Sequence, residues 1–289
     1  MYRFETQEYT DGLFSVDAAY VIHLEHNGRL PQLTQELAAR HPANVVHILF
    51  NPGYKKMAKD LPQQAPAHDL VHAYKHVFKD ARERGYDRVL VLEDDFMFRK
   101  DLHLSDAAKV NAYLETHSNR RMMYQLGCIP GLMVPVGGST YLTIACGTHA
   151  CVYTRKLRDH VLQYKGYIRD WDFFMTFHSL RYAYSIPLCY QLYPATENSD
   201  HWMPLFGYTD FLKKLIRLVG LDKRAEPAFS ICYWGAKMNF YNMIAVVALV
   251  VYFRKEILSL NSEKIYSYSK WFLQKLHLLR NKETPTLPL

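Results

Sequence analysis

Three short apolar runs separated by two helical stretches restrict this chain more than any other feature of its sequence. Ala18-Ala19-Tyr20-Val21-Ile22-His23-Leu24 reads as a buried strand, followed by a predicted helix over about Leu30 to Arg40. Asn44-Val45-Val46-His47-Ile48-Leu49-Phe50 is a second, β-branched strand, stopped by Asn51-Pro52-Gly53. A helix over about Ala67 to Gly85 then leads into Arg88-Val89-Leu90-Val91-Leu92. Strand, helix, strand, helix, strand is the signature of a parallel sheet with crossover helices, so the fold class is α/β.

Length and charge narrow the reading further. A chain of 289 residues, 49% hydrophobic, can bury one full core with a small appendage. The formal charge of +7 is unevenly spread: from Lys213 onward there are 13 Lys and Arg against 5 Asp and Glu, which leaves the first 212 residues near −1. The body is therefore close to neutral, no nucleic-acid-binding module is recognisable, and a nucleic-acid partner is not expected. Five cysteines, odd in number and without a C-x-x-C pair, predict reduced buried thiols. Residues Met1 to Asp17 carry four acids and no apolar run, so they do not read as a secretory signal, and a cytoplasmic location is expected.

Beyond the third strand, the pattern predicts a helix over about Ser105 to His117, a strand over Arg121 to Leu126 and a loop over Gly131 to Gly138. Strands at Tyr141 to Cys146 and His149 to Tyr153 flank Gly147, a helix follows from Arg155 to Gln163, and Ser185 to Leu192 reads as one further strand. The last third differs in character. Residues Phe211 to Val219 are amphipathic and basic, and the 16 residues Met238 to Phe253 are apolar apart from two asparagines. That run falls short of the ~20 residues of a membrane span. It fits either a packing helix or, with Lys237, Arg254 and Lys255 around it, an interfacial helix giving peripheral membrane contact. The expected division is 1–205 for the α/β domain and 206–289 for a basic, largely helical extension.

Glu93-Asp94-Asp95 follow the most hydrophobic strand directly. A buried parallel strand opens at its carboxyl end into the ligand crevice of the sheet, where three adjacent carboxylates repel one another. A divalent cation relieves that repulsion, and hard oxygen ligands select Mg²⁺ or Mn²⁺, which take only one or two protein carboxylates and fill the rest of the shell with water and phosphate. A solvated turn with capping acids is the other reading of the triplet. Arg169-Asp170-Trp171-Asp172 supplies a second acidic pair, suited either to capping a helix or to general-base catalysis. His68, His72 and His76 share one face of a predicted helix and imitate a zinc pattern with Asp69 in place of Glu, which makes a zinc hydrolase the rival enzyme. No G-x-G-x-x-G follows the first strand and no P-loop motif occurs, so nicotinamide and P-loop chemistry lack support.

Tyr20-Val21-Ile22-His23-Leu24, Val91-Leu92-Glu93-Asp94-Asp95 and Gly147-Thr148-His149-Ala150-Cys151-Val152-Tyr153-Thr154-Arg155-Lys156, in that order, resemble the landmarks of GT-A glycosyltransferases. The nearest resemblance is to glycosyltransferase family 25, the lipooligosaccharide-biosynthesis and collagen galactosyltransferase type, over roughly Ala18 to His201. The resemblance implies a GT-A-like, Rossmann-like, mostly parallel sheet flanked by helices, with a C-terminal helical appendage. It implies a metal-dependent transferase moving a sugar from a nucleotide-sugar, taken as a UDP-sugar, to a hydroxyl of a glycan or glycoconjugate acceptor, with inversion. On that reading Glu93, Asp94 and Asp95, with Tyr20 and Ile22 of the first strand, bind donor and cofactor. Asp95, Glu93 and His201 ligate Mn²⁺ or Mg²⁺, and Asp172 or Asp170 is the catalytic base. The segment His23-Leu24-Glu25-His26-Asn27-Gly28-Arg29 departs from the arginine-rich turn of the family. An inactive glycan- or nucleotide-binding protein and a membrane-associated scaffold are the alternatives outside enzymology.

Overall fold

The computed structural model describes residues 2–192 and 225–254, together with positions 267, 269, 270 and 274. Eleven strands and six helices occur among them: β1 (Arg3–Glu8), β2 (Ala18–Leu24), α1 (Leu30–Ala39), β3 (Val45–Asn51), α2 (Pro66–Glu83), β4 (Arg88–Glu93), β5 (Phe96–Phe98), α3 (Leu104–His117), β6 (Met122–Gln125), β7 (Ile129–Gly137), β8 (Thr140–Cys146), β9 (Ala150–Thr154), α4 (Arg155–Gln163), α5 (Trp171–His178), β10 (Leu180–Tyr184), β11 (Cys189–Gln191) and α6 (Ala225–Tyr252).

Nine strands form one sheet in the order β1-β3-β2-β4-β9-β6-β10-β8-β7. β3, β2 and β4 pair in parallel, as do β6 and β10, while β1, β9 and β8 run against their neighbours. Six strands therefore point one way and three the other. This is the α/β class expected from the sequence, with a mostly parallel sheet. It is covered on both faces, which is why β2 and β4 are apolar at successive positions instead of alternating. Ala19, Val21, Leu90 and Leu92 face one layer with Leu33 and Leu37 of α1 and Val110 and Leu114 of α3. Tyr20, Val89 and Val91 face the other, against Tyr74, Val77 and Phe78 of α2, Leu157 of α4 and Trp171 of α5.

Two local expectations need correction. Residues 131–138 are not a loop: β7 covers Ile129–Gly137 and pairs with β8. Pro130, Gly131 and Pro135 mimic a loop because β7 is an edge strand, where missing donors are tolerated, and its register shifts at Pro130/Leu132 and Pro135/Gly137 absorb the irregularity. The hairpin closes through Gly138 and Ser139, both at positive φ, as a two-residue turn requires. The strand expected at 185–192 is shorter, β11 alone, pairing only with β5 in a separate ribbon, and β10, just before it in the main sheet, is a strand the sequence pattern did not mark.

Residues 1–240 form one compact unit and 241–289 a second. The expected boundary near 205 falls outside the described residues, as does the basic segment 211–219. The first turns of α6 belong to the larger unit, where Tyr233 and Ala236 pack with Cys128, Met133 and Ala145. The five cysteines are free thiols. Among the described residues α6 alone is long and apolar enough to cross a membrane by length and composition.

Candidate functional site

The site is built at the carboxyl ends of β2 and β4. Their parallel register sets Ile22 beside Glu93, so the residues leaving β2 lie next to those leaving β4. Antiparallel β9 places Leu92 beside Ala150, which brings the Gly147-Thr148-His149 link to the same edge, and the Glu93 N–H donates to the His149 carbonyl at 2.8 Å.

The three acids of the triplet have different surroundings. Asp94 is braced from inside: Oδ2 accepts from His23 Nδ1 (3.0 Å), the Leu24 N–H (2.8 Å) and Asn27 Nδ2 (2.6 Å), and Oδ1 accepts from Arg29 Nη1 (2.7 Å). Burial opposes its ionisation, but these donors outweigh burial and hold the carboxyl below its usual range. Its acceptor positions are spent on the β2–α1 turn, so Asp94 positions that turn and Arg29 and is not placed as a donor ligand.

Asp95 has the opposite character. Oδ2 accepts from Gln191 Nε2 at 3.2 Å and lies 3.5 Å from Arg29 Nη1, while Oδ1 is buried with no hydrogen-bond partner among the described residues. Burial pushes its carboxyl up to about 7, with Arg29 pulling the other way. Glu93 accepts from Tyr74 Oη (3.0 Å) and Thr148 Oγ1 (3.3 Å). Burial, then the charges of Asp95 and Asp172, raise it to about 8. An unpartnered carboxylate oxygen beside a second acid that resists ionisation is a fitting receptor for a hard divalent cation. Among the described residues no three His, Cys, Asp or Glu side chains converge as a metal cage.

Asp172 sits in the first turn of α5 and both its oxygens accept from the Gly147 N–H, at 3.1 and 3.2 Å. Gly147 has φ +96°, a left-handed conformation that turns this N–H toward the acid, and a side chain there is strained. Arg181 Nη2 lies 3.4 Å from Asp172 Oδ1, and its Nη1 donates to Thr176 Oγ1 at 2.6 Å. The Asp172 side chain is 37% exposed and reachable from solvent. Enough protein still surrounds it for burial to push the carboxyl up to about 6, against the pull of Arg181. Asp170 is the N-cap of α5, accepting from the Phe173 N–H at 2.8 Å, and its carboxylate is committed to that turn.

Several expected residues lie elsewhere. Tyr20 is wholly buried with its hydroxyl on Asp80 at 2.6 Å, and Ile22 is in the core; both face α2, because β2 is a central strand covered on both sides, and neither presents surface to a ligand. His201 lies outside the described residues. The zinc-like trio on α2 does not converge: His68 meets Tyr167 Oη (2.6 Å), His72 meets Tyr2 Oη (2.9 Å), and His76 stacks on Tyr2. Asp69 is occupied by Asn51 and by the buried ammonium of Lys59. Arg29, Tyr74, Thr148, Arg181 and Gln191 complete the site and were not among the site residues expected from sequence, although Arg29, directly after Asn27-Gly28, and Thr148 lie in segments singled out there. His149 is buried beside Glu93, and burial holds it down at about 4 against the opposing pull of the Cys189 backbone, so it is a neutral imidazole.

Beyond Asp172 lies a mostly apolar cleft of about 180 Å³, lined by Leu132, Val134, Leu142, Ile144 and Leu180 with Thr176 and Arg181 at its polar side.

No protein-family profile matches the chain, and no curated protein matches it. Among solved structures it is similar to protein A197 from STIV, with a TM-score of 0.40 and 13% identity, covering 62% of this chain and 86% of that one. It is also similar to a glycosyltransferase involved in the glycosylation of the major capsid of PBCV-1, with a TM-score of 0.29 and 8% identity, covering 50% of this chain and 62% of that one. Likenesses at these scores assign neither a family nor an activity to this chain.

Proposed function

We propose that this protein is a glycosyltransferase that moves a sugar from a nucleoside-diphosphate donor to an acceptor hydroxyl, with inversion. The reading rests on one observation above the others: Asp95, with a buried unpartnered oxygen, and Glu93 share the strand-end crevice with Asp172, a solvent-reachable acid on a separate element. Asp95 and Glu93 are the residues that would hold Mn²⁺ or Mg²⁺, which when bound supplies Lewis-acid stabilisation of the departing diphosphate. Arg29, already directed at Asp94 and Asp95, offers a second positive charge to the same oxyanion. Asp172, ionised at neutral pH, takes the proton of the acceptor hydroxyl as its oxygen bonds to the anomeric carbon and the carbon–oxygen bond to the diphosphate breaks. Family 25 remains a resemblance of short motifs.

The test is thermal stability of the full chain against a panel of nucleoside diphosphates and nucleotide-sugars, with and without Mn²⁺, followed by donor hydrolysis. One nucleotide should stabilise the wild type only with metal, by ~2.7 kcal/mol at a hundredfold excess over Kd. Asp95→Asn should lose that stabilisation, and Asp172→Asn should keep it while losing turnover. If no nucleotide shifts the transition under any condition, the transferase reading is wrong and a scaffold role replaces it.

A further inference from the structure

Helix α6 changes its relation to solvent along its length. Ala228, Phe229, Tyr233 and Ala236 are buried, and the Lys237 ammonium donates to the Ser185 carbonyl, so these turns are held against protein. From Met243 to Phe253 every residue is apolar or aromatic and every one is exposed, Val246 at 59% and Tyr252 at 76%. At 100° per residue, eleven successive apolar side chains cover the whole circumference of the helix. An amphipathic helix shows a stripe; this segment has none.

We infer that Met243–Phe253 docks into the hydrocarbon of a lipid bilayer and anchors the protein there. The occupant follows from the pattern. A groove-binding partner or a second copy buries one face of a helix and leaves the opposite face in water, which here is as apolar as the first. Lipid covers all faces at once, and a helix satisfies its own backbone hydrogen bonds, as hydrocarbon demands. Two ordinary sources of long apolar helices do not apply: the 18-residue apolar window within Glu226–Tyr252 is only 6% buried, unlike a core helix, and it follows a folded α/β body, unlike a signal sequence. Length decides the depth. Eleven residues at 1.5 Å rise extend about 16 Å, too short to cross a hydrocarbon core ~30 Å thick, so the segment lies within a single leaflet, sunk just beneath the headgroups with both of its ends near them. Arg254 and Lys255 follow it in sequence and suit headgroup phosphates. The inference stands on helix exposure alone and does not depend on the donor site.

The experiment is flotation of the full chain with vesicles of pure phosphatidylcholine, at low and high salt, for wild type and Val246→Asp/Val250→Asp. The wild type should float with neutral vesicles at both salt concentrations, and the double variant should lose at least about tenfold of its bound fraction, since a charge is strongly disfavoured in hydrocarbon. Val246→Leu/Val250→Leu, still apolar, should float like the wild type, and the variants should share the melting transition of the body. Binding only to anionic vesicles, released by salt, would overturn insertion in favour of surface electrostatics. Absence of flotation would also overturn it. If a dimer measured by light scattering then dissociates in the Asp variant, a second copy is the occupant.

Discussion

Asp94 and Asp95 are adjacent in sequence and both buried, yet neutralising them should move stability in opposite directions. Asp94→Asn removes a charge that four donors converge on, among them the Arg29 guanidinium. An amide also turns one of its own donors toward them. Breaking a buried, hydrogen-bonded ion pair by removing one partner costs about 3 kcal/mol. Asp95→Asn instead removes a charge that burial disfavours. Its carboxyl is raised from 3.8 to about 7, so the folded state holds a proton that the unfolded chain has already released. Wild-type stability therefore falls as pH rises from about 4 toward 7, and above that the ionised acid costs on the order of 4 kcal/mol, which the asparagine does not incur. Urea unfolding in the presence of a chelator, at pH 5 and pH 8, reads both effects. Asp94→Asn should lower the midpoint at both pH values, whereas Asp95→Asn should raise it, and more so at pH 8. Should both substitutions destabilise equally at pH 8, Asp95 is a structural acid with partners like those of Asp94, and the cation site it defines does not exist.

The other predictions concern the same edge of the sheet. In metal-free buffer the melting temperature of the wild type should decline between pH 5 and 8, because Glu93 and Asp95 are forced to ionise in place, and excess Mn²⁺ should flatten that slope; a metal-independent slope refutes the cation's place there. Donor turnover should fall below a pH of about 6 as Asp172 takes up its proton, and Asp172→Asn should lower kcat by about 10²–10⁴-fold with little change in nucleotide affinity. An unchanged profile in the variant would remove Asp172 from the mechanism. Gly127→Ala should destabilise the body by about 2 kcal/mol or more, since a Cβ there would meet the Cys189 carbonyl oxygen at 1.8 Å, and calorimetry checks it.

The chain's own pattern determined the parallel core. The runs at 18–24, 44–50 and 88–92 are apolar at successive positions because both faces of those strands are covered, and that local signal needs no partner to be legible. It also marked Glu93-Asp94-Asp95 and Asp172, since charge directly after such a strand or in the first turn of a helix is visible in one dimension. Only the tertiary structure separated the three acids of the triplet. Asp94 differs from Asp95 through His23, Asn27 and Arg29, some 65 to 71 residues away in sequence, and Asp95 from Glu93 through Gln191 on a ribbon that pairs with β5 alone. Likewise, β7 read as a loop because edge pairing excuses prolines that a central strand would reject. The physical reason is common to these cases. Burial and hydrogen-bond supply at a side chain are set by whatever packs around it, and in a sheet whose neighbours are out of chain order those groups come from distant sequence.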